Sequence, residues 1–190
     1  MIRKATVAAR RDGFTLIELL IVVAIIGIIA AIAIPSLLRA RVSANESATI
    51  GDIRTLISAQ AAFQSANGGF YTQSWPCLVQ PNNGTACIPS YPANGPTFVD
   101  SQLASLQSKS GYSRSNGSFG LTPAPLPAVS GSTSVSAYVY SASPVNIGQT
   151  GVRGFAGDSS GVICFSSTGV FPPNSSGAIT ITATTCNVLQ

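Results

Sequence analysis

Residues 13–38 read GFTLIELLIVVAIIGIIAAIAIPSLL. From Leu19 to Ile34 every residue is apolar or glycine. Between Phe14 and Leu38 the only interruptions are Thr15, Glu18, Pro35 and Ser36. As a helix this stretch would span roughly 37 Å at about 1.5 Å per residue, enough to cross a hydrocarbon core of about 30 Å. The chain of 190 residues has room for this segment plus one ordinary domain.

Working outward, the charge pattern orients the segment. The formal charge is +4, but it is not spread over one surface. Arg3, Lys4, Arg10 and Arg11 precede the apolar run against Asp12 alone, whereas the rest of the chain is nearly neutral. The electrostatic footprint of a nucleic-acid-binding protein is therefore missing, and no specific nucleic-acid site is evident. The basic leader marks the end that stays cytoplasmic, with a single pass through a membrane. Cys77, Cys87, Cys164 and Cys186 all follow the apolar run, in the compartment where an even count reads as two disulfides. Three pairings are possible, and nearest-neighbour closure, Cys77–Cys87 with Cys164–Cys186, is the expected one. The alternative, a zinc site from four thiolates, lacks any CxxC spacing and any histidine.

After Pro35 the pattern turns amphipathic. Leu38, Val42, Thr49, Ile50, Ile53, Leu56, Ile57 and Phe63 recur mostly at three- and four-residue steps, with Arg41, Asn45, Asp52 and Gln60 elsewhere. Gly68-Gly69 supplies a helix stop. The reading is one helix over 14–67, its 14–38 part the transmembrane or filament-core segment, followed by a globular head over 68–190. In that head, Ser101–Lys109 reads as a helical turn and Asn116-Gly117 as a hairpin turn inside 112–121. SVSAYVYS (134–141), GVICF (161–165) and AITITATTC (178–186) read as strands. The expected fold class is α+β, a small antiparallel sheet laid on the amphipathic half of the helix, since neither element is stable alone.

Gly13-Phe14-Thr15-Leu16-Ile17-Glu18 ahead of an apolar run resembles the processing and methylation site of type IV prepilins and of the related pseudopilins of type II secretion. Gly13 matches the last leader residue, Phe14 the first mature residue and Glu18 the acidic residue of the mature helix, with Pro35 in the later helix. The resemblance covers about residues 11–38 and extends more weakly over 44–69. It implies cleavage of a leader over 1–13 by a prepilin peptidase and methylation of the Phe14 amine by the same enzyme. It further implies assembly, by an inner-membrane platform and its ATPases, into a helical filament of identical copies. The subunit would lie in the inner membrane before assembly, and in an extracellular pilus or periplasmic pseudopilus afterwards. Adhesion, twitching motility and DNA uptake are the roles such pili serve.

Physical chemistry gives these residues work. A carboxylate inside an apolar segment is costly and marks a functional candidate. Paired with the Phe14 amine of a neighbouring copy, Glu18 would set the register of assembly, each charge relieving the other's desolvation. Alternatively Glu18 caps its own helix, and the two roles are compatible. Gly27 and Pro35 both weaken helix and are expected to bracket a stretch that loosens on assembly. The Asn-x-Ser/Thr matches at Asn45, Asn83, Asn116 and Asn174 arise readily by chance in so Ser- and Asn-rich a chain. With no histidine and scattered acids, no catalytic triad is available, and neither enzyme activity nor a cofactor is expected. The leading function is a major pilin. The alternatives are a minor pilin, a pseudopilin, or a membrane-anchored binding module that never polymerises.

Overall fold

The computed structural model describes residues 13–104, 108–122, 128, 130–182 and 185–189. The leader before Gly13 lies outside the described residues, as do Leu106, Ala183 and Thr184. The chain divides into two compact units, Met1–Arg39 and Ala40–Gln190. Helix α1, Leu16–Ala66, begins in the first and supplies the core of the second.

In the first unit every residue from Gly13 to Ile29 is exposed, Ala30 is half-buried, and 31–39 are exposed again. Leu16, Ile28 and Ile32 are 80, 65 and 74 % exposed. An apolar helix without a covering protein layer needs another solvent or another copy around it. Pro35 lies inside α1 without ending it, so one helical hydrogen bond, to the Ala31 carbonyl, is forgone.

In the second unit α1 buries Glu46, Thr49, Ile53, Leu56, Ala59, Gln60 and Phe63. This stripe is rotated from the expected one. Leu38 is 45 % exposed, and Val42, Ile50 and Ile57 are only half-buried. Gln60, expected on the opposite side, is fully buried because its carboxamide closes two hydrogen bonds onto backbone: Nε2 donates to the Thr72 carbonyl at 2.8 Å and Oε1 accepts from the Thr72 N–H at 3.1 Å. The helix ends where Gly68 and Gly69 take positive φ and the Gly69 N–H donates to the Gln64 carbonyl. Asn67, also fully buried, then ties the end down by donating to the Phe70 carbonyl and Ser134 Oγ and accepting from the Gly131 N–H.

The strands are β1 (Tyr71–Thr72), β2 (Tyr112–Phe119), β3 (Ser134–Val135), β4 (Tyr138–Pro144), β5 (Gly154–Asp158), β6 (Ile163–Ser166), β7 (Asn174–Ser175), β8 (Ala178–Ile179) and β9 (Asn187–Val188). Five form an antiparallel sheet in the order β2-β4-β5-β6-β9, while β1 pairs with β3 and β7 with β8. Two short helices, α2 (Pro76–Val79) and α3 (Ser101–Ala104), pack beside it. One sheet face meets α1, placing Tyr112, Tyr140, Ala142, Phe155 and Ile163 in a core with Ile53, Leu56 and Phe63. The other face buries Val139, Ala156, Cys164, Ile179 and Cys186 under the C-terminal segment. The sheet is thus covered on both faces, which is why β5 is buried at every position.

Several expectations from the sequence are corrected. Asn116-Gly117 is no hairpin turn: β2 runs straight through it, paired to β4, with a register irregularity between Asn116 and Phe119. A Cβ on Gly117 would lie 2.9 Å from the Asn174 side chain, so glycine there serves a close approach. The segment 134–141 is two strands, broken at Ser136-Ala137. Of the alternating run 178–186, Ala178-Ile179 forms β8, with β9 following the run and Ile181 54 % exposed, because the chain folds over the sheet face and does not extend it. The turn expected over Ser101–Lys109 is helical at Ser101–Ala104. Asp158 ends β5, where it accepts hydrogen bonds from Ser160 and from the Ile179 N–H.

Candidate functional site

At the start of α1, Thr15 and Glu18 form a reciprocal cap. The Thr15 N–H donates to Glu18 Oε2 at 2.9 Å, Thr15 Oγ1 donates to the same oxygen at 2.7 Å, and the Glu18 N–H donates to Thr15 Oγ1 at 3.2 Å. This is the capping box of a Thr-x-x-Glu start, and it satisfies donors that a helix N-terminus otherwise leaves open. Glu18 therefore caps its own helix. Only Oε2 is used; Oε1 has no hydrogen-bond partner among the described residues. Thr15, which sequence reasoning passed over, was legible from its spacing three residues before Glu18.

Around this cap, Gly13 and Phe14 are in non-helical backbone, and Phe14 is 79 % exposed. The Gly13–Phe14 bond thus stands clear of regular structure, as proteolysis requires. Gly27 has nothing within 4 Å of where a Cβ would sit. Its lack of a side chain meets no need within the single chain. Helix α1 contains an 18-residue stretch of mean hydropathy 3.1, long and apolar enough to cross a membrane.

In the second unit the cysteines pair as Cys77–Cys87 and Cys164–Cys186, with Cα separations of 5.2 and 5.4 Å. No thiolate is left for the zinc alternative. The first bridge pins the loop after α2, and the second ties β6 to the turn before β9. Phe63 and Trp75 are core residues, with Phe63 edge-on to Phe98 and Trp75 edge-on to Tyr140.

Glu46 is a residue that sequence patterning did not single out. It is 6 % exposed, its Oε1 accepts from the Val152 and Arg153 N–H groups, and its Oε2 accepts from Arg153 Nε and Nη2 at 2.8 and 2.6 Å. Burial works to raise its pKa, but the Arg153 and backbone hydrogen bonds outweigh burial and leave it below the usual carboxylate value. The Arg153 guanidinium also lies over the Phe155 and Phe165 rings. Further along, Asp52 pairs with Lys109 at 2.8 Å.

With this geometry in place, comparison with known proteins decides the relationship. A protein-family profile described as the prokaryotic N-terminal methylation motif matches residues 8–34. The chain carries the N-terminal motif of the type IV pilin and pseudopilin family. The chain is similar to the type IV wide pilus major component PilA4 of Thermus thermophilus, 42 % identical over 88 residues. That match takes in 43 % of this chain and 66 % of the relative. The type IV major pilin protein PilA of Myxococcus xanthus is 50 % identical over 56 residues, 30 % of this chain and 26 % of that one. The chain thus spans just under two thirds of one curated relative and about a quarter of the other. No solved structure matches it. One N-terminal helix followed by a small antiparallel sheet is nonetheless a pilin-like α+β arrangement.

Proposed function

We propose that this chain is a structural subunit, a major pilin, of a type IV pilus. It is cut between Gly13 and Phe14, methylated on the Phe14 amine, held in the inner membrane by 14–38, and polymerised through that helix. The assembly platform, its ATPases and the prepilin peptidase are its partners, and it has no catalytic role of its own. The observation that carries this reading is the Gly13-Phe14 junction and Glu18 at the head of an apolar helix segment left exposed among the described residues. Similarity to two major pilins supports it.

Polymerisation places Glu18 beside the freed Phe14 amine of a neighbour, with Oε2 kept for Thr15 and Oε1 offered to the incoming charge. Gly27 and Pro35 lower the cost of loosening the helix between them during packing. A minor pilin or a pseudopilin would share every one of these features, and abundance in the filament separates them from a major pilin.

The test is Glu18→Ala and Glu18→Gln in the producing cell. Both variants should be processed and membrane-inserted like wild type, because each makes the segment less charged. Both should lose filaments, because an incoming amine is buried without its counter-charge. Wild-type filament density in a normally processed variant would restrict Glu18 to capping its own helix.

A further inference from the structure

Four asparagines stand directly before a glycine: Asn67, Asn83, Asn94 and Asn116. In such a pair no side chain shields the glycine nitrogen, which can attack the neighbouring carboxamide. As sequence the four are equal. The fold separates them, by whether the carboxamide is free and how firmly the glycine N–H is held.

Asn67 is fully buried, and its side chain is held by the Phe70 carbonyl, Ser134 Oγ and the Gly131 N–H. Asn116 lies within β2, where pairing with Tyr140 keeps its backbone extended, and Gly117 packs closely against Asn174. Asn94 is exposed, but the Gly95 N–H closes a four-residue turn onto the Pro92 carbonyl at 2.9 Å. The Tyr91 ring also occupies the place where a Gly95 side chain would sit.

Asn83 is the least restrained. It and Gly84 are both exposed, and its carboxamide makes no hydrogen bond among the described residues. Its φ of −76° and ψ of 69° are those of a three-residue turn, in which the Gly84 N–H donates to the Asn82 carbonyl at 2.8 Å. A bond closed over so short a turn is bent, and bent bonds are weak. Gly84 has nothing within 4 Å of where a Cβ would sit, so the space around the pair is open. The surrounding loop is nevertheless fixed. The Cys77–Cys87 bridge closes a separation of 10 residues around it, and the Ile88 and Ser132 N–H groups donate to the Pro81 and Thr85 carbonyls. The pair is therefore presented by the folded chain itself.

We propose that Asn83 is a self-modification site of the folded chain. The Gly84 nitrogen, its proton lost to hydroxide, attacks Asn83 Cγ. A new C–N bond forms, the carboxamide C–N bond breaks, and ammonia leaves with a proton taken from water. A second water opens the five-membered imide at either carbonyl, giving aspartate or isoaspartate. In sum, asparagine and water become an acid and ammonia, with no change in oxidation state. No Asp, Glu, Lys or Arg lies between Arg54 and Asp100, so the product places the first charge in that whole stretch. The disulfide holds both ends of the loop, so the surface gains a negative charge while the fold stays.

Timed peptide mapping of the full chain in detergent micelles tests it, at mildly alkaline pH with both disulfides intact. Digestion at acidic pH stops conversion during the mapping. Asn83 should convert first, roughly tenfold faster than Asn94, a difference of about 1.4 kcal/mol in barrier. Asn67 and Asn116 should be slower still. Reduced and alkylated chain in guanidinium chloride should convert all four pairs at similar rates. Asn83→Gln should remove the product from this loop and leave Tm and both disulfides as in wild type. Conversion of any other pair as fast as Asn83 in the folded chain would overturn the proposal. A tenfold preference for Asn83 that persists in the unfolded chain would overturn it too, because flanking sequence and not the fold would then select the site.

Discussion

Glu18 is capped with Thr15 in its own helix, and the proposed function gives the same carboxylate a second role toward a neighbour's amine. If the cap were the whole role, Thr15→Ala and Glu18→Ala should behave alike, each loosening the first turn of the helix. If the intermolecular charge pair dominates, Thr15→Ala should still yield filaments and Glu18→Ala should not, which electron microscopy of the producing cells would show. Glu46 makes a separate prediction. Its pKa is lowered in the folded chain, so its contribution is present above the unfolded value of about 4.3 and is lost as pH falls through the folded value. Thermal melts should therefore lose stability in that acid window, and Glu46→Gln should flatten this part of the pH dependence. The same variant should cost about 1–3 kcal/mol at neutral pH, the lower end reflecting the partly exposed Arg153 partner. Neither Glu46 nor Gln60 was readable as buried from sequence, because polar residues in an amphipathic helix are assigned to water. Their partners, at Arg153 and Thr72, are visible only once the chain is folded.

At the scale of elements, close approach of α1 to β5 depends on Gly157. A Cβ there would lie 2.4 Å from Ile53 Cγ2 and 3.1 Å from Ile57 Cδ1. Ile53 is fully buried and cannot swing away, so Gly157→Ala should destabilise by about 1–3 kcal/mol, seen as a lower Tm with an unchanged membrane fraction. The Cys164–Cys186 bridge closes a separation of 22 residues, and its reduction should cost on the order of 3 kcal/mol. Non-reducing peptide maps should contain both nearest-neighbour pairs and no free thiol. Helix α1 and strands β4 and β6 were legible because their apolar periods are strong. Strand β5, GFAGD, was not: two glycines and a terminal aspartate carry no strand pattern, and only burial on both faces makes it a central strand. Asn116-Gly117 misled for the opposite reason, a turn dipeptide held straight by its pairing with β4.

For the molecule as a whole, the N-terminal motif was readable because it lies in one short contiguous stretch, residues 8–34. The second unit has no such compression: its order comes from pairings between distant residues, such as Asn45 with Thr150 and Asn67 with Gly131. The central claim is that the chain is processed at Gly13–Phe14 and then built into a filament. Shearing filaments from the producing cells and taking the intact mass and N-terminal peptide of their main component tests it directly. The expected component is this chain, beginning at a methylated Phe14 and carrying both disulfides. A chain beginning at Met1, one cut beyond Leu19, or filaments that lack this chain altogether would contradict it.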